Sequence, residues 1–165
     1  METKKQEVSE KLIRSTLGEE LQVREVMTRD VITVSKYERV LKVADTLAER
    51  NISGLPVMDR HNRVVGIITQ ADILSVLGLG RENTFKDVLK SMLGEPLPRR
   101  RMGDVVGDIM TYPAIFIRPE ASIAEAVRIM DDRKIRRLTV IDDRNNLLGI
   151  LTRADILKAV IRKLK

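Results

Sequence analysis

Two threonine–aspartate pairs have the residue types and spacing for chemistry: Thr69-x-x-Asp72 and Thr152-x-x-Asp155. They lie in GIITQADIL (66–74) and GILTRADIL (149–157). A threonine three residues ahead of an aspartate marks a helix start. Its hydroxyl accepts from an amide of the first turn, and a carboxylate there is favoured by the helix dipole. The same geometry has a second use. A carboxylate at a helix N-terminus facing a cleft offers two acceptors to a vicinal diol such as ribose, and nearby amides can receive an anion. On these residues alone both readings stand.

Other chemistries lack their residues. The chain has no cysteine, which removes disulfides, thiolate metal sites and cysteine nucleophiles. His61 is the only histidine and falls in a turn-forming stretch, where it is expected to be solvated. Asp59, Asp142 and Asp143 also fall in such stretches, where aspartate serves the backbone. No phosphate-binding G-x-x-x-x-G-K-[ST] loop, nucleophile elbow or metal-ligand spacing is present. Enzyme activity, a catalytic cofactor and a metal are not expected.

The pairs must be positioned by something, and the repetition shows what. Shifted by 83 residues, positions 23–75 align with 106–158 without a gap, and 17 of those 53 positions are identical. The chain is two copies of one unit. VITV (31–34) and AIFI (114–117) read as strands. Helices follow, with Val40, Val43, Ala44 and Leu47, or Ile123, Ala126, Val127 and Met130, on one face. Ser122 with Glu125 fits a capping box; Ser35 with Glu38 offers one a turn earlier. LPVM and VVGII flank DRHNR (59–63), and LTVI and LLGIL flank DDRNN (142–146), as hairpins do. A last helix opens at Thr69 or Thr152. The expected fold class is α/β (α+β): two β-α-β-β-α units, each with an apolar face that the other would bury, related by a pseudo-twofold axis. The expected boundaries are an N-terminal helix within 1–19, units over 20–77 and 104–165, and a connection over 78–103. Helical spacing recurs over 5–17 and 84–93.

The chain has 165 residues, 43% hydrophobic but only 2% aromatic, so an aliphatic core is expected. Its net charge of +6 is concentrated in Arg99–Arg101 and in the final RADILKAVIRKLK. Such clusters are solvated helix ends or a surface for nucleic acid. The scattered aromatics Tyr37, Phe85, Tyr112 and Phe116 make no stacking platform. No run is long enough to span a bilayer, and METKKQEVSEK lacks the apolar core of a signal peptide. A cytoplasmic protein without membrane contact is the expectation.

The duplicated unit resembles the CBS domain, named after cystathionine β-synthase. Two in tandem form a Bateman module, and the stand-alone prokaryotic type is the one expected here. The resemblance rests on VxxVMTRDVITV and VGDIMTYPAIFI, on ISGLPVMD and IRRLTVID, and on GIITQADIL and GILTRADIL, in order, twice. It implies a regulatory sensor of adenosine-containing ligands: AMP, ADP, ATP, S-adenosylmethionine, methylthioadenosine or NAD. It implies ribose contacts from Asp72 and Asp155, with Thr69 and Thr152 nearby, in a cleft between the units. The base would pack near Thr28, Ile32, Ser53, Gly54 and Leu55 in the first copy. In the second it would pack near Thr111, Ile115, Arg136, Arg137 and Leu138, with residues of both copies mixing in a pocket. Arg136 and Arg137 replace Ser53 and Gly54 and would meet phosphates; their simpler reading is surface arginines at a helix end. Thr139 in place of Pro56 departs from the family's usual LPV. The resemblance also implies a homodimer and an output to a separate effector protein. The alternative function is a nucleic-acid-binding or scaffold protein.

Overall fold

The computed structural model describes residues 21–76 and 104–165, together with Glu7 and Lys11. The helices expected over 5–17 and 84–93, and the Arg99–Arg101 cluster, lie outside the described residues. In chain order the elements are α1 (Val23–Val26), β1 (Val34–Ser35), α2 (Val40–Glu49), β2 (Gly54–Met58), β3 (Val64–Thr69) and α3 (Gln70–Val76). There follow α4 (Val106–Ile109), β4 (Phe116–Ile117), α5 (Ile123–Asp132), β5 (Arg137–Ile141), β6 (Leu147–Thr152) and α6 (Arg153–Leu164). They make two three-stranded sheets, β1-β2-β3 and β4-β5-β6. In each sheet the first pair is parallel and the second is an antiparallel hairpin. The expected α/β class and the doubled β-α-β-β-α order are both present.

The first strands are shorter than VITV and AIFI suggested, at two residues each. In the first copy Pro56 sits in β2 without an N–H to donate toward the preceding segment. Its counterpart Thr139 does donate, from its N–H to the carbonyl of Ile115 at 3.2 Å. The Thr139 side chain is fully buried, and its hydroxyl has no hydrogen-bond partner among the described residues.

Helix starts divide as the two copies diverge. Ser122 caps α5, its hydroxyl accepting from the Glu125 N–H at 3.1 Å. Ser35 does not cap α2, contrary to expectation. Its hydroxyl accepts from the Tyr37 N–H at 3.2 Å, closing a local turn, and the N-cap is Arg39 with no side-chain bond. Serine satisfies whichever amide its loop presents, and here that loop turns before the helix begins.

The hairpin turns are alike. Asp59 Oδ1 accepts from the N–H groups of His61 (2.8 Å) and Arg63 (3.0 Å). Asp142 Oδ1 accepts from those of Arg144 and Asn146, both at 2.8 Å. Asn62 and Asn145 take the left-handed position, at φ 56° and 63°. His61 is exposed, as expected.

The chain forms two compact units whose boundaries differ from those of the sequence repeat. Among the described residues, one comprises 21–31 together with Ile115–Lys165; the other lies within Ile32–Ala114. Each core shows the exchange. Val23 and Met27, from ahead of the first repeat's strands, are buried with Ile123, Met130, Leu138, Val140 and Leu151. Val106, from ahead of the second repeat's strands, is buried with Val43, Leu47, Leu55, Val57 and Ile68. Val23 and Val106 are both 0% exposed, and burying such a side chain contributes about 2 kcal/mol.

Candidate functional site

The exchanged segments create the constellation around each aspartate. In the Ile32–Ala114 unit, Thr111 lies against β3. Ile67 and Thr111 exchange both backbone hydrogen bonds, each 2.9 Å. In the other unit, Thr28 and Ile150 do the same at 2.9 Å. The chain can approach this closely because glycine precedes each partner. A Cβ on Gly66 would stand 2.7 Å from the Thr111 carbonyl oxygen, and one on Gly149 would stand 2.7 Å from that of Thr28. The glycines lie within β3 and β6.

The bridging segment brings a second threonine to each carboxylate. Asp72 Oδ2 accepts from the Thr69 N–H at 2.7 Å and the Thr69 hydroxyl at 2.8 Å. Asp72 Oδ1 accepts from the Thr111 hydroxyl at 3.1 Å. Around Asp155 the pattern returns. Oδ2 accepts from the Thr152 N–H (2.9 Å) and hydroxyl (2.7 Å), while Oδ1 faces the Thr28 hydroxyl at 3.4 Å. Each cap threonine also accepts, at 3.2 Å, from the N–H of its own aspartate. The helix-start reading of Thr-x-x-Asp is therefore realised at both places.

It does not use up the site. One carboxylate oxygen is committed to the cap, and the other holds a single hydroxyl. A carboxylate accepts about four hydrogen bonds, so Oδ1 keeps capacity for a further donor. Thr28 and Thr111 are exposed, while both aspartates are half-buried. The arrangement presents an oriented acceptor beside a hydroxyl, which suits a neutral polyol.

The remaining predicted residues sort by unit. Ile32, Ser53, Gly54 and Leu55 share the unit of Asp72, Thr69 and Thr111. Ile115, Arg136, Arg137 and Leu138 share that of Asp155, Thr152 and Thr28. Gly54 is register partner to Thr69 and Arg137 to Thr152, so both adjoin the helix starts. Arg136 accepts through its carbonyl from the Arg153 N–H at 3.1 Å, and Ser53 likewise from that of Gln70 at 3.1 Å. Leu55 and Leu138 are 2% and 0% exposed, with their side chains in the cores. The sequence grouped Thr28 with the first copy's residues and Thr111 with the second's. The structure pairs each with the other copy's aspartate. The signal for this lay in Met-Thr preceding both strands and Gly-Ile recurring in both hairpins, but nothing in it says which pairs with which.

Charge is also set apart by copy. Positions 29, 53, 54 and 70 hold Arg, Ser, Gly and Gln; their counterparts 112, 136, 137 and 153 hold Tyr, Arg, Arg and Arg. Because 29 and 112 exchange places with their segments, four arginines lie in the Asp155 unit and none of these positions is charged in the Asp72 unit. Arg29 is turned back, donating to the Arg24 carbonyl at 3.0 Å. Among the described residues no helix is long and apolar enough to cross a membrane, and no cluster of metal-ligating side chains occurs.

Comparison with known proteins supplies the family. The CBS domain family matches residues 23–79 and 106–162. MJ1404 of Methanocaldococcus jannaschii is 33% identical over 147 residues, covering 89% of this chain and 34% of that protein. Inosine-5'-monophosphate dehydrogenase of the same organism is 33% identical over 81% of this chain, which spans only 22% of that enzyme. The crystal structure of CBSX2 in complex with AMP superposes with a TM-score of 0.70 at 28% identity, covering 88% of this chain and 99% of that one. CBSX2 is a CBS-pair protein of Arabidopsis thaliana.

Proposed function

This chain belongs to the CBS domain family as a tandem pair, and from that premise we propose that it senses an adenosine-containing ligand and reports it to a separate effector. The observation that carries the reading is the doubled Thr–Asp–Thr constellation, in which one carboxylate oxygen is fixed and the other keeps acceptor capacity. A ribose diol would donate to Asp72 Oδ1 or Asp155 Oδ1. AMP in the CBSX2 complex supports the ligand class. AMP, ADP, ATP, S-adenosylmethionine and NAD all carry the required diol. The arginines Arg136 and Arg137, beside Thr152, favour a phosphorylated ligand at Asp155. Sensing requires different affinities for two conformations of the protein. Exposed Leu74 on α3, with Leu157 and Ile161 on α6, supports a homodimer formed through helices.

The test is isothermal titration with AMP, ATP, S-adenosylmethionine and NAD, on the wild type and on Asp72→Ala and Asp155→Ala. Each variant should lose one binding event by at least about tenfold, the worth of a charge-assisted hydrogen bond, while circular dichroism reports an intact fold. If none of the four ligands binds protein stripped of carried-over nucleotide, the sensor reading fails.

A further inference from the structure

One corner of the Ile32–Ala114 unit differs from its counterpart in a way that ribose binding does not use. The loop after β1 and the turn between β2 and β3 meet there, the Lys36 N–H donating to the Met58 carbonyl at 3.0 Å. Tyr37 stands at this corner 48% exposed. Two cations lie over its ring: Lys36 Nζ is 5.0 Å and Arg60 Cζ 4.7 Å from the centroid. Arg39 and His61 lie close to them in sequence. The corner's carboxylates are already engaged, Glu38 with Lys42 at 2.8 Å and Asp59 with Arg63 at 3.0 Å. Among the described residues no salt bridge joins the side chain of Lys36, Arg39 or Arg60 to a carboxylate. The equivalent corner of the other unit carries Pro119, Glu120, Ser122 and Asp143 at the positions of Lys36, Tyr37, Arg39 and Arg60. Duplication therefore left one corner basic, while the other sets Glu120 and Asp143 against Arg118 and Arg144, with Arg118 3.9 Å from Asp143.

We infer that the Lys36–Tyr37–Arg60 corner is a docking surface for an acidic segment of a separate protein. The ring holds two long cationic side chains over itself, which lowers the entropy lost when they meet carboxylates. A nucleic-acid base needs an open ring face on which to stack, and here a base would compete with two cations for the Tyr37 ring. The corner is also tied to the nucleotide constellation. Lys36 and Glu38 accept through their carbonyls from the N–H groups of Gly107 (2.8 Å) and Val106 (2.9 Å) in α4. That same helix leads directly into Met110 and Thr111, whose hydroxyl holds Asp72. Docking stands independently of the proposed nucleotide binding; its coupling to Asp72 rests on it.

The experiment uses the full chain and a fluorescein-labelled decapeptide of alternating glutamate and serine, with labelled (dT)12 in parallel, at about 50 mM salt so that screening stays modest. Lys36→Glu/Arg60→Glu should weaken peptide binding about twentyfold or more, and Tyr37→Leu, which changes no charge, about threefold or more. The charge-matched control Lys158→Glu/Arg162→Glu on α6 should change it by less than about threefold. Equal losses in the control would mean binding follows net charge and would overturn the surface. So would tighter (dT)12 binding lost in the same corner variants, or sedimentation showing that these variants dissolve a self-association of the wild type. Saturating AMP should shift peptide affinity by about threefold or more; unchanged affinity with AMP bound overturns the coupling. If AMP does not bind the wild type, the sensor reading fails, and the peptide titrations still decide the surface.

Discussion

Asp72 and Asp155 each serve two masters, and the hydrogen bonds divide the work between their oxygens. Oδ2 belongs to the helix start, and Oδ1 meets the threonine delivered by the exchanged segment. That delivery depends on glycine. A methyl group on Gly66 or Gly149 would press on a backbone carbonyl that has little freedom to move. We expect Gly66→Ala and Gly149→Ala each to cost about 1–3 kcal/mol, as overpacking does, measured by urea unfolding. Each should weaken ligand binding in its own unit, because the threonine retreats from the carboxylate. A neutral effect on both stability and binding would show that the close approach is not needed.

At the scale of elements, the hairpin turns carry the pH dependence. The Asp59 carboxyl is held below its ordinary value of 3.8, first by the Arg63 N–H and then by that of His61, with desolvation opposing. The Asp142 carboxyl is lowered likewise, first by the Asn146 side chain and then by its N–H. The Glu38 carboxyl is lowered chiefly by Lys42. A carboxyl depressed in the folded state stabilises the fold above its unfolded pKa, and that contribution fades as pH falls through the folded value. Asp59→Ala and Asp142→Ala should therefore be less stable than the wild type by a constant margin above about pH 5, with the margin closing below about pH 4. Denaturant unfolding at a series of pH values measures it. A margin that does not close in acid would assign the loss to the turn's shape alone. These turns were readable from composition, because aspartate and asparagine act on their own backbone. The cap of α2 was not. Ser35 serves a preceding turn instead, a choice made by the path of the loop.

For the whole molecule, the exchange of segments decides which residues act together. Thr111→Val should weaken the same binding event as Asp72→Ala, and Thr28→Val the same event as Asp155→Ala. Pairing by sequence repeat instead would refute the assignment. Hydrogen exchange offers a ligand-free check. Val23→Ala should lower protection at Leu138 and Leu151, and Val106→Ala at Leu55 and Ile68, each by about 2 kcal/mol, the transfer energy lost.

The sequence by itself determined the duplication, the α/β order, both Thr-x-x-Asp helix starts, the Asp–Asn turns and the aliphatic core. All of these arise from local spacing, from side chains acting on nearby backbone, or from identity at a constant shift. Only the tertiary structure decided that Met27-Thr28 and Met110-Thr111 cross to the other repeat's hairpin, and that Tyr37 gathers Lys36 and Arg60. The two repeats offer nearly the same glycine, strand edge and apolar pocket to either segment. Residue preference alone cannot choose between two such similar partners. The choice is made by how the connected chain closes both cores at once.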